Sequence, residues 1–132
     1  MRIDPDRLLS ILHATTCAAV RADSPDLSAR QMAILLAVTL DPGMHTVRGL
    51  AALFNISKPA ISRSLDRLCE LGLAGREPDP RDRRSVLVVA SQAGQDHVAA
   101  LRQMLTEAAR PTQPKRTPRR SQAAAIEEMV AT

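Results

Sequence analysis

The chain has 132 residues, room for one domain with a modest core, and a formal charge of +4 at pH 7. Its cations are Arg except for Lys58 and Lys115, which suits a polyanionic partner that a guanidinium fork can grip, although a GC-rich genome would give the same bias. Phe54 is the single aromatic residue, which argues against recognition by stacking on bases or flat ligands, and no apolar run reaches the roughly 18 residues of a membrane span.

The opening MRIDPDRLL carries acids where a signal peptide wants bases, so a cytoplasmic protein is expected. Asp4 followed by Pro5 reads as a helix start, a carboxylate cap and then proline at the first helical position. Leu8, Ile11, Leu12, Thr15 and Ala19 recur at helical spacing to about Ala22. His13 and Cys17 lie four apart on this helix, but two ligands do not close a zinc site, and both read as buried small residues. With Cys69 as the only other cysteine, no disulfide framework is expected. DSPD breaks the helix. Ser28 and Gln31 then form a capping-box pair, with Leu27 and Met32 as its staple, for a second helix, QMAILLAVTL. That helix is apolar on nearly every side and should lie at the buried centre.

After Asp41-Pro42-Gly43, a third helix opens at Thr46, and Asn55 stands where a left-handed residue could close it. Ser57 caps a fourth helix, SKPAISRSLDRLCEL, with Ile56 and Ile61 able to staple across that cap. Ile61, Leu65, Leu68 and Leu71 form its inward ladder, Cys69 packs beside them, and Gly72 is a natural stop. LAGRE and SVLVVA then read as two short strands around the polar stretch PDPRDRR. Ser91 starts a last long helix through Val98, Leu101, Met104 and Leu105 to about Ala109. The following RPTQPKRTPRR, with its prolines and bases, reads as an extended linker, and SQAAAIEEMVAT as a short helix needing a docking surface.

Two short helices, a tight connection and a third with an inward apolar ladder describe a helix-turn-helix, and the hairpin after it makes the lobe a winged helix. A recognition helix must bring its first turn close to base edges, where bulky residues would hold it away. Ser57, Pro59, Ala60 and Ser62 meet that demand, and Pro59 falls where its missing amide hydrogen costs nothing. Arg63 and Arg67 lie one turn apart on the outer face, and Lys58 suits a phosphate. The hairpin tip offers Arg81, Arg83 and Arg84, cations fit for a minor groove.

From Leu27 to Leu105, and above all in DPRDRRSVLVVASQAG, the sequence resembles the MarR family of multiple antibiotic resistance regulators. The resemblance implies a mainly α winged helix-turn-helix fold with a small β-hairpin wing and terminal dimerisation helices. It implies a homodimeric regulator of transcription on double-stranded DNA, usually a repressor of a palindromic operator released by a small ligand or oxidant. Carried onto this chain, it puts Ser57, Lys58, Pro59, Ser62 and Arg63 toward the major groove and Arg83 and Arg84 on the minor groove and phosphates. Asp66 matches an acid that pairs with a wing arginine, here Arg84. A lone carboxylate on a DNA-facing helix would repel phosphate unless it oriented a cation, although Asp66 could also be a simple surface acid.

The expected organisation is a dimerisation helix over 1–26, the DNA-binding lobe over 27–90, a second dimerisation helix over 91–110, a basic linker over 111–120 and a short helix over 121–132. The family's usual pair of long C-terminal helices is reduced here to one. Leu8, Ile11, Leu12, Leu101, Met104 and Leu105 are the candidate dimer contacts, with intramolecular packing as their alternative. No cofactor or metal is expected, and the sequence names no effector. The chain has no Ser/His/Asp set or phosphate loop, which argues against an enzyme. The competing function is a winged helix that binds a protein partner and uses its basic tail without sequence preference.

Overall fold

The computed structural model describes residues 3–41 and 43–111; the expected linker beyond Pro111 and the helix over 121–132 lie outside them. Five helices and three short strands follow in the order α1 (Pro5–Arg21), α2 (Ala29–Leu40), β1 (His45–Thr46), α3 (Val47–Phe54), α4 (Lys58–Glu70), β2 (Ala74–Pro78), β3 (Val86–Ala90) and α5 (Gln92–Ala109).

Each helix begins where a short polar side chain can satisfy its free amides. The Asp4 carboxylate accepts from the Asp6 amide at 3.1 Å, and Pro5 opens α1. Ser28 and Gln31 make the reciprocal capping box, at 3.2 and 2.9 Å. Thr46, Ser57 and Ser91 cap α3, α4 and α5. Asn55 closes α3 at φ 53° and ψ 46°, a left-handed conformation that Asn tolerates better than most residues.

The core is aliphatic. Ile34 and Leu35 of α2, Leu50 of α3, and Ile61, Leu65 and Leu68 of α4 are fully buried, with Leu73, Val88 and Val98 closing around them. Phe54, Leu71 and Cys69 pack at its margin. Helix α2, expected to lie at the buried centre, buries only Ile34 and Leu35 fully, with Leu36 and Val38 half-buried and Leu40 exposed; α4 supplies the larger share of the centre.

The sheet has strand order β1-β3-β2 and is antiparallel throughout, with Thr46 opposite Leu87 and Gly75 opposite Val89. The Val-rich β3 is central because its Leu87 and Val88 reach the core. Strand β1, only His-Thr, is absent from the sequence reading because two residues have no periodicity to detect.

The lobe joins α5 at one tight junction. The Ser91 amide donates to the Leu73 carbonyl at 3.0 Å, and its hydroxyl donates to the Gly72 carbonyl. Gly72 itself has φ +74°, the left-handed turn that ends α4. A Cβ on Gly94 would lie 2.0 Å from the Leu73 carbonyl oxygen, so no larger residue fits there.

At the other end of α5, Arg7 Nη2 donates to the Ala109 carbonyl at 2.6 Å. A cation on a helix C-terminus complements its dipole, and the contact sets α1 and α5 antiparallel. Thr15 is the one buried residue of α1, its hydroxyl turned back to the Ile11 carbonyl at 2.7 Å. The proposed contact residues divide by burial: Ile11, Leu101 and Met104 are half-buried, whereas Leu8, Leu12 and Leu105 are exposed.

Candidate nucleic-acid interface

The first turn of α4 is small and open. Ser57, Lys58, Pro59 and Arg63 are exposed, whereas Ala60 and Ile61 point into the core and hold the turn against the lobe. Ser62 is half-buried. Arg63 forms no ion pair among the described residues, but Arg67 reaches Glu70 at 3.2 Å. Of the two arginines on this face, Arg63 is therefore the freer.

The expected Asp66–Arg84 pair is replaced by another. Asp66 accepts from Arg76 Nη2 at 2.6 Å, and the same nitrogen donates to the Ser62 carbonyl at 3.3 Å. Arg76 Nη1 also lies 3.6 Å from Cys69 Sγ. Arg76 stands on β2, whose strand runs beside α4, so its guanidinium spans two turns of the helix. Arg84 stands on the wing tip, where its own amide is held by the Asp82 carboxylate at 2.9 Å. Asp66 thus joins helix to wing through the middle of a hairpin strand rather than through the tip. In the sequence Arg76 shows only as the central residue of AGREP, without the clustered bases that mark PRDRR.

The wing tip is built by two aspartates. Asp79 accepts from the Arg81 amide at 2.9 Å and from Arg81 Nε at 3.4 Å, and the Asp79 carbonyl accepts from the Asp82 amide at 3.3 Å. Asp82 repeats the pattern with the Arg84 amide, making two successive Asx turns. The Asp79 carboxyl is held below the ordinary carboxylate range, chiefly by the Arg81 amide and then by the Arg81 guanidinium and the Ser85 hydroxyl, against a burial that pushes it up. Arg81 is partly committed to this turn, while Arg83 and Arg84 make no side-chain ion pair among the described residues. In the sequence this turn is marked by the repeat of Asp two residues before Arg in DPRDRR.

Between the two elements runs a cleft of about 340 Å³ whose walls include Lys58 and Ser62 of α4, Arg76 of β2, and Asp82, Arg84 and Ser85 of the wing. The first turn of α4 and the wing tip thus border one space, with an excess of cations on its walls. An arrangement of small residues, unpaired arginines and a rigid turn can approach a polyanion closely and grip it from two sides.

Elsewhere, His13 is exposed rather than buried, and its Nε2 lies 3.5 Å from the half-buried Cys17 Sγ. The helix turns this pair to the side of α1 away from Thr15, which explains why burial failed as a prediction. Among the described residues no helix is long and apolar enough to cross a membrane.

Residues 26–85 match the model of the MarR family. A curated HTH-type transcriptional regulator of Mycobacterium leprae is 29% identical over 106 residues, covering 80% of this chain and 73% of that one. The fold is similar to that of RV1404 from Mycobacterium tuberculosis, at 27% identity and a TM-score of 0.65 over 96% of this chain and 86% of the other. It is also similar to that of MepR from S. aureus in a structure with DNA, at 16% identity and a TM-score of 0.61, covering 96% and 88% of the two chains.

Proposed function

We propose that this chain is a DNA-binding transcriptional regulator of the MarR family that works as a dimeric repressor on a palindromic operator. The observation that carries the reading is the shared cleft, which has the small first turn of α4 on one side and the arginine-bearing wing tip on the other. In this reading the lobe over 27–90 contacts DNA, with Ser57, Lys58, Pro59, Ser62 and Arg63 in the major groove. Arg83 and Arg84 reach the minor groove and phosphates, and Arg67 and Arg81 contribute charge from partly committed positions. The likeness to a DNA-bound MepR supports the same orientation of helix and wing.

The dimer would form through 1–26 and 91–110. Leu8, Leu9, Leu12 and Leu105 are 48%, 64%, 58% and 39% exposed, an apolar surface on the antiparallel α1–α5 pair that a second copy would cover. Two recognition helices held in this way would enter successive major grooves about 34–36 Å apart. Repression then follows from occupancy of the operator. Selection of bound duplexes from a random pool tests the reading: a palindrome supports it, and no enrichment favours the protein-binding alternative.

A further inference from the structure

The cleft between α4 and the wing has a third wall that the helix and wing motifs do not point to. Thr46, Val47 and Arg48, at the start of α3, line it as well. Arg48 is the second residue of α3, is exposed, and forms no ion pair among the described residues. Lys58 and Arg84 face the same space and are likewise without an ion pair among the described residues.

Two opposing groups are already engaged. Arg76 is held by Asp66, and the one acid on the walls, Asp82, accepts from the Arg84 amide within the wing turn. Three separate elements therefore each bring one unengaged cation to a single space, beside the hydroxyls of Thr46, Ser62 and Ser85. Like charges are not gathered in this way for stability, since they repel one another; an anion bound between them removes that cost.

We propose that this cleft seats one backbone phosphate of the operator, with Arg48 as a phosphate ligand alongside Lys58 and Arg84. The inference rests on the DNA-binding reading and adds α3 to it. Three ligands from three elements would fix the lobe's register on the duplex, because a phosphate held from three directions cannot slide along the groove. Arg48 would position the lobe without reading a base.

Fluorescence-anisotropy titrations of the full chain on its selected duplex, across a range of salt, test the assignment. Arg48→Ala should lower affinity several-fold on all sequences and reduce the salt slope by up to about 1.8, one cation being lost from each half-site of the dimer. Arg48→Lys should keep the slope. A methylphosphonate at one phosphate in each half-site should weaken the wild type by a larger factor than it weakens Arg48→Ala, which keeps Lys58 and Arg84 on that phosphate. An Arg48→Ala slope equal to that of the wild type would overturn the proposal while leaving DNA binding intact. Inorganic phosphate that fills the cleft at millimolar concentration without competing with the duplex would overturn it in favour of a small-anion site. A wild-type chain that binds no duplex would remove the functional reading itself.

Discussion

Replacing Arg76 by alanine should damage DNA binding more than it damages the fold. The Arg76–Asp66 pair is short, at 2.6 Å, but its side chains are 36% and 59% exposed, so it contributes no more than about 1 kcal/mol. The bond to the Ser62 carbonyl adds about 1 kcal/mol, and the 3.6 Å approach to Cys69 adds little. A stability loss of about 1–2 kcal/mol follows, which circular-dichroism melting at fixed protomer concentration would register as a modest fall in Tm. On DNA the variant loses more, because an uncompensated Asp66 carboxylate then faces the phosphates. We expect a ten- to hundredfold fall in affinity, about 1.4–2.8 kcal/mol. Asp66→Ala alone should cost less, since it frees Arg76 for phosphate, and adding it to Arg76→Ala should recover part of the loss. The two single losses should therefore not sum in the double variant. Strict additivity, or an Arg76→Ala variant with unchanged affinity, would refute the idea that this pair holds helix and wing together for binding.

Four further outcomes can be measured. Arg63→Ala should cost about 1–3 kcal/mol in operator affinity and relax base preference at one position per half-site, read by competition with single-base variants. Arg83→Ala should instead weaken all duplexes alike. Gly94→Ala would place a methyl 2.0 Å from the Leu73 carbonyl oxygen, a clash with backbone that should destabilise by about 1–3 kcal/mol or more, seen in thermal melting. Asp79 is held below its ordinary pKa in the folded wing, so its contribution is present above the unfolded value, near 3.8, and is lost as pH falls through the folded one. Asp79→Asn should therefore flatten the acid limb of the stability profile; an unchanged limb would show that the carboxylate does not hold the turn.

The helix boundaries were legible because each rests on local chemistry. Asp4-Pro5, the Ser28/Gln31 pair, Ser57 and Ser91 cap their helices as the residues require, and Asn55 takes the left-handed position that its side chain suits. The inward ladder of α4 was legible for the same reason, since Ile61, Leu65 and Leu68 follow the helical period into the core. Pairings across the fold were not. Whether Asp66 meets Arg76 or Arg84 depends on where β2 lies beside α4, which no local pattern encodes. The two-residue β1 and the approach of Arg48 to the wing are likewise products of packing. His13 shows the complementary failure: the helix was foreseen, but which of its sides faces α5 was set by the partner helix.

The junction at Gly72–Leu73 and Ser91–Gly94 has a mechanical consequence. It pins one end of α5 to the lobe by backbone contact, so the helix leaves as a stiff arm of 18 residues, about 27 Å long. A tilt of about 10° at that fulcrum would swing the far end by about 5 Å, close to one full pitch of the helix. In the proposed dimer the arms of the two copies meet, so the same few degrees would change the distance between recognition helices by an amount that DNA, with its fixed repeat, does not absorb. Operator fit would then be set as much by the angle of this joint as by any residue that touches a base.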